Sequence, residues 1–210
     1  MDRQQLAALL PGVKDAYPHY YALCFMAAYT GQRFGTLCAL QWSCIDTENG
    51  VIHLKSEKTG HKAKAPLSRF RSVLEEHRKV LKEWSPIAFK KAPYVFPCKG
   101  DPDNLKYGGR RTDSSSVNKA LRKVCREVGI EEITFHDFRR TFVTLALDSG
   151  VAPAVIKSMT GHCSQMIGHY HHQSTASKSD LIGVVMGEIE PSESEDDSPS
   201  DKSVTASDVF

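Results

Sequence analysis

Apolar positions along most of this chain recur at the three-and-four spacing of amphipathic helices, and only a short central stretch alternates as strands do. Asp2 stands before RQQLAALL and can N-cap a helix running to Leu10, where Pro11-Gly12 predicts its end. A second apolar run, HYYALCFMAAYTG, predicts a helix closed by Gly31, and another helix begins near Phe34. CIDTENGVIHL and KAKAPLS then read as short strands, with Asn49-Gly50 as the tight turn of a hairpin and a lysine-rich turn before the third strand. Helix returns at SRFRSVLEEHRKVLKEW. After the strand-like YVFP comes a polar loop, CKGDPDNLKYGGRRTD, followed by a helix from about Ser114 to Val128. In ITFHDFRRTFVTLALDSGV, Phe138, Phe142 and Leu145 recur at i, i+4 and i+7, making one helical face apolar, and Gly150 closes the helix. No repeat of solenoid period is present. The pattern predicts an α+β domain, mostly helical, with a small antiparallel sheet.

Charge changes this picture at one end. The segment Glu188 to Phe210 holds eight acids and one lysine, a net −7, so residues 1–187 carry +9 beneath the chain's net +2. The tail has too few large apolar residues to offset the entropy of ordering, and disorder is expected there. The basic body is attracted to polyanions, although a solvated lysine-rich surface carries the same sign. No apolar run approaches the length of a membrane span, and MDRQQLAALLPG lacks a signal-peptide core, so a cytoplasmic protein without membrane association is expected. The six cysteines form no CxxC pair, which favours reduced thiols over disulfides or a zinc site.

Two stretches carry candidate chemistry. His136 and Arg139 are three apart and can project from one side of their helix, as an incidental pair on a buried helix also could. TGHCSQMIGHYHHQ, residues 160–173, gathers His162, Cys163, His169, His171 and His172 around Tyr170. Its side chains either hold a metal or surround a working tyrosine. A metal needs three or four convergent ligands, and alternating HYHH positions need not converge.

Taken in order, TGQRFGTLCALQW, EKTGHKAKAPLS, HDFRRTFVTLALDSGV and TGHCSQMIGHYHH resemble the signature of the tyrosine recombinase (phage integrase) family in its catalytic domain, from about Leu6 to His172. The resemblance implies a mostly helical domain that cuts and rejoins double-stranded DNA through a covalent 3′-phosphotyrosine, with no metal or nucleotide cofactor. It implies Arg33 and Arg139 as clamps on the phosphate, Lys58 as the hairpin lysine that protonates the leaving 5′-oxygen, His136 as proton acceptor, His162 as a phosphate donor and Tyr170 as nucleophile. Guanidiniums suit the first role because their fixed fork donates paired hydrogen bonds to phosphate oxygens. A tyrosine hydroxyl, with a free pKa near 10, needs an acceptor for its proton as it attacks.

Two departures stand out. Thr36 occupies the position three after Arg33 where the family commonly carries an acid, and the interval from His162 to Tyr170 is eight where nine is common. The expected organisation is a catalytic domain over 1–187 and an acidic disordered tail over 188–210, without the DNA-clamping domain that usually precedes it. The expected partners are DNA and further copies of the chain, as a tetramer on paired sites at a bacterial nucleoid. An inactive DNA-binding module of the same fold and a DNA-relaxing enzyme of the type IB topoisomerase kind are the alternatives.

Overall fold

A computed structural model of the chain describes residues 1–98 and 111–161. Helices α1 (Arg3–Ala16), α2 (Pro18–Thr30) and α3 (Phe34–Cys38) lead into strands β1 (Ile45–Asp46), β2 (Val51–Lys55) and β3 (Lys62–Pro66). Then follow α4 (Arg71–Trp84), α5 (Pro86–Lys91), α6 (Ser114–Glu127), α7 (Phe135–Asp148) and α8 (Pro153–Thr160). The described residues are thus mostly helical with one antiparallel sheet in the order β1-β2-β3, as expected.

The centre is α2. Every residue from Tyr21 to Thr30 is buried, which fits a helix that is apolar all round rather than on one face. It packs against α1, α4 and α7, and Phe25 stacks on Tyr29 with ring centroids 4.2 Å apart. Gly31 ends it in the left-handed region at φ 60°. The sheet shows the alternation read from the sequence: Ile52 and Leu54 of β2 face inward with Ala63 and Ala65 of β3, and the residues between them face solvent.

Three local readings need correction. The first helix does not stop at Pro11 but continues to Ala16. Asp2 does cap it, accepting from the Gln5 amide at 2.8 Å while the Gln5 side chain accepts from the Asp2 amide at 2.9 Å. Leu6, Leu9, Leu10 and Val13 are all buried, so packing runs across the proline and outweighs its missing donor. Gly12 belongs to the same contact, since a Cβ there would lie 2.8 Å from Val124 Cγ1 and 2.9 Å from Val128 Cγ1 on the α6 side. The first hairpin closes through four residues, because Asp46 pairs with Val51. The Asp46 carboxylate accepts from both the amide and the side chain of Asn49, so the turn is organised by Asp46 as much as by Asn49-Gly50. YVFP makes no strand, only isolated bridges from Tyr94 to Gln41 and from Pro97 to Arg111.

That extended segment is held by His77 of α4. The imidazole is buried, its Nε2 lies 2.9 Å from the Val95 carbonyl, and its ring sits 5.2 Å from that of Phe96. A carbonyl only accepts, so Nε2 carries the proton. Burial pulls the pKa of His77 down to about 4, against the opposing pull of the Val95 carbonyl. The unfolded chain takes up this proton near pH 6.5, so stability is present above that pH and is lost as pH falls towards 4. His77→Gln keeps a donor but does not titrate. Between pH 7 and pH 4 the unmodified chain should lose about 3 kcal/mol more than His77→Gln in urea melts; parallel losses in the two proteins would show that His77 binds its proton equally well in the folded and the unfolded chain.

Candidate active site

Four side chains from distant parts of the sequence converge on the last turn of α8. A helix leaves its final carbonyls without intrahelical donors, and here Gly161, left-handed at φ 67°, caps only Lys157 with its own amide at 2.8 Å. Each of the next four carbonyls accepts a side chain. Ser158 takes His61 Nε2 at 3.1 Å, Met159 takes Gln32 Nε2, Thr160 takes Arg139 Nη1 at 2.7 Å, and Gly161 takes Arg33 Nη1 at 3.1 Å. The negative end of the α8 dipole favours cations at this place.

Arg33 arrives from the N-cap position of α3, in extended conformation directly after α2 closes. With no carboxylate at position 36, Arg33 donates instead to the Gly161 backbone, and Thr36 itself is buried. Arg139 lies one turn into α7, 2% exposed, and its Nη1 also donates to the Gly31 carbonyl at 2.9 Å. Gly31 has no room for a side chain, because a Cβ would sit 2.4 Å from Phe142 Cδ1. Burial, and then the positive charge of Arg33, lower the pKa of Arg139 to about 10. Arg139 therefore stays cationic at neutral pH, and Arg33 is close enough to repel it.

The start of α7 is fixed separately. The Asp137 carboxylate accepts from the amide and the hydroxyl of Thr134, each at 2.8 Å, and the Phe135 amide donates to Asn118 of α6 at 2.8 Å. Phe34 meets the Phe135 ring edge-on at 5.0 Å, which sets the residue after Arg33 against the residue before His136. His136 itself is exposed on the first turn of α7. Lys58 is exposed in the turn between β2 and β3. On one side that turn is tied by Glu57 to Arg111, and on the other by His61 to α8. The structure thus brings Arg33 and Arg139 together and puts the Lys58 turn against the same helix end. His162 and Tyr170 lie outside the described residues, as do Cys163, His169, His171, His172 and the acidic tail.

Sequence reasoning missed Gln32 and His61. Both stand inside motifs it quoted, TGQR and KTGHK, yet their acceptors are backbone carbonyls far along the chain, and no residue spacing encodes such a partner.

The profile of the phage integrase family matches residues 1–177. The chain is 28% identical over 155 residues to a shufflon-specific DNA recombinase of Escherichia coli, covering 72% of this chain and 34% of that protein. It is 30% identical over 152 residues to the integrase of Salmonella phage P22, covering 70% of this chain and 37% of that one. It therefore spans well under half the length of these relatives. Among solved structures its fold is similar to the lambda integrase catalytic core, with a TM-score of 0.57 at 17% identity, covering 77% of this chain and 94% of that chain. It is likewise similar to the XerH site-specific recombinase bound to difH substrate in a pre-cleavage complex, with a TM-score of 0.60 at 19% identity, covering 78% of this chain and 47% of that chain.

The carbonyl row makes Gln32 a structural test of the site. Gln32→Leu keeps the volume but leaves a carbonyl of the α8 end without its donor, which should cost about 1–3 kcal/mol of unfolding free energy. A denaturant midpoint equal to that of the unmodified chain would show that the α8 end does not depend on this bond.

Proposed function

Because the chain belongs to the phage integrase family, we propose that it cleaves and rejoins double-stranded DNA in site-specific recombination, through a covalent 3′-phosphotyrosyl intermediate. The observation that carries this reading is the convergence of Arg33 and Arg139 on the α8 end, two cations held side by side by backbone carbonyls. Such a pair is electrostatically unfavourable alone and is relieved by an anion, and a phosphodiester gathers charge on its non-bridging oxygens as it is attacked.

In the proposed reaction the Tyr170 oxygen attacks phosphorus, a P–O bond to tyrosine forms, and the bond to the 5′-oxygen breaks. The tyrosine proton passes to His136, Lys58 delivers a proton to the departing 5′-oxygen, and His162 adds a hydrogen bond to the phosphate. The phosphotyrosyl bond conserves the energy for rejoining, so ATP is not consumed and no metal takes part in this scheme. Exchange between two duplexes requires four strand cleavages, which calls for four copies of a chain with one nucleophile each. Residues 1–187 would form the catalytic unit, with 188–210 as an acidic appendage.

The sheet supports the choice of a polyanion. Lys55 pairs directly with Lys62, and His53 with Lys64, all on the exposed face. The like charges of Lys55 and Lys62 weaken the strand pair, and a phosphate backbone lying along this face removes that penalty. Lys62→Gln combined with Lys64→Gln should reduce the slope of log affinity against log salt by about 1 to 2, roughly 0.9 for each phosphate that is no longer neutralised. An unchanged slope would remove this face from the DNA interface.

Catalysis is tested with a pool of nicked duplexes of randomised sequence, resolved on a denaturing gel. The unmodified chain should form a covalent adduct and Tyr170→Phe none, while DNA binding persists. Arg139→Lys keeps the charge and a donor for the carbonyls but loses the fork, and should cut adduct formation by about 100-fold or more. No adduct from the unmodified chain, or an adduct from Tyr170→Phe mapped to another residue, would overturn the assignment.

A further inference from the structure

The turn carrying Lys58 is closed on itself before it meets the rest of the protein. The Gly60 amide donates to the Ser56 carbonyl and the Ser56 amide to the His61 carbonyl, both at 2.8 Å, and Ser56 is buried. These bonds define the loop's shape but not its place. Placement comes from its two flanks. The Glu57–Arg111 pair is exposed on both sides, a situation in which ion pairs contribute little. His61 makes a different kind of contact. Its Nε2 donates to the Ser158 carbonyl at 3.1 Å, and its ring lies so close over Gly161 that a Cβ there would be 2.6 Å from Cδ2 and 2.8 Å from Cγ. The imidazole therefore rests on the residue whose carbonyl holds Arg33.

We propose that His61 is a positioning residue that latches the Lys58 turn onto the α8 end, setting the acid for the leaving group in register with the arginine pair. The inference rests on the reading of Lys58 as that acid. Lys58 is three residues from His61, and with the imidazole seated on α8 the turn cannot slide relative to the carbonyl row. Without it, the turn swings on the hairpin and its internal bonds open more often, and the ammonium is no longer held over the departing oxygen. A lateral error of about 1 Å in such a group can cost 100-fold in rate. Any tautomer compatible with this bond carries its proton on Nε2, since Ser158 offers only an acceptor.

A sulfur-substituted leaving group separates positioning of the acid from general damage. When the 5′-bridging oxygen is replaced by sulfur, the leaving group departs as a thiolate, whose conjugate acid has a pKa of about 8.5 in cysteine, so it needs no acid. With a nicked duplex recovered from the randomised pool, His61→Ala should cleave the ordinary diester about 10- to 100-fold more slowly than the unmodified chain. It should cleave the bridging-sulfur version at the unmodified rate. His61→Gln, whose amide can donate to the same carbonyl, should recover most of the lost rate. Equal slowing on both substrates, or no slowing on either, overturns the proposal. A second measurement does not depend on cleavage: in the DNA-free chain, His61→Ala should speed hydrogen exchange at the Ser56 and Gly60 amides while the interior of α8 stays protected. Unchanged exchange in the turn also overturns it. An unmodified chain that forms no adduct removes the functional reading alone, and the exchange result then decides the latch.

Discussion

Carbonyls at the end of a helix must find donors or water, and the way α8 meets that requirement organises the described part of the site. Its last turn is buried from Met159 to Gly161, where an unmet acceptor costs on the order of 1–3 kcal/mol. The donors are Gln32 and Arg33 from the junction after α2, His61 from the hairpin turn and Arg139 from α7. Three separate segments of the chain are thereby fixed to one short helix. Satisfying the backbone and assembling the candidate site are one event, because the same bonds accomplish both.

Gly31 shows how tightly the two are joined. It closes α2 in a left-handed conformation, offers its carbonyl to Arg139, and leaves space that the Phe142 ring fills. A side chain at this point would collide with α7 even if the backbone could tolerate it. The buried helix α2 consequently delivers Arg33 at a fixed height against α7, and Arg139 reaches back across the contact to the end of the helix that delivered its partner.

The sequence was most legible where structure depends on neighbours. Asp2, Gly31, Gly150 and the alternation in β2 and β3 all signal through residues a few positions apart, and the helices and sheet follow them. It was least legible where a distant surface overrules a local preference. Pro11 and Gly12 look like a stop, yet Gly12 is the place where Val124 and Val128 of the α6 side come close enough to exclude a Cβ. His77 carried no signal, since its partner is a carbonyl in a segment that reads as a strand. Within the site, Arg33 and Arg139 could be named from motifs, but their anchors could not, and neither could the part of Gln32 and His61 in holding the same helix end.

The anchoring also bears on how a charged pair can be kept in place. Two guanidiniums brought together in a partly buried setting would separate if their side chains were free, and a carboxylate between them would neutralise the field that makes them useful. Backbone carbonyls resolve the conflict. They are dipoles rather than ions, so they fix the guanidinium planes without bringing a counter-charge of their own. The lowered pKa of Arg139 records the remaining strain between the two cations, with burial as its larger cause. In the proposed reaction, a phosphate would meet donors already oriented by these carbonyls. Thr36, and not an acid, stands three residues after Arg33, and the Gly161 carbonyl is the acceptor that holds this guanidinium.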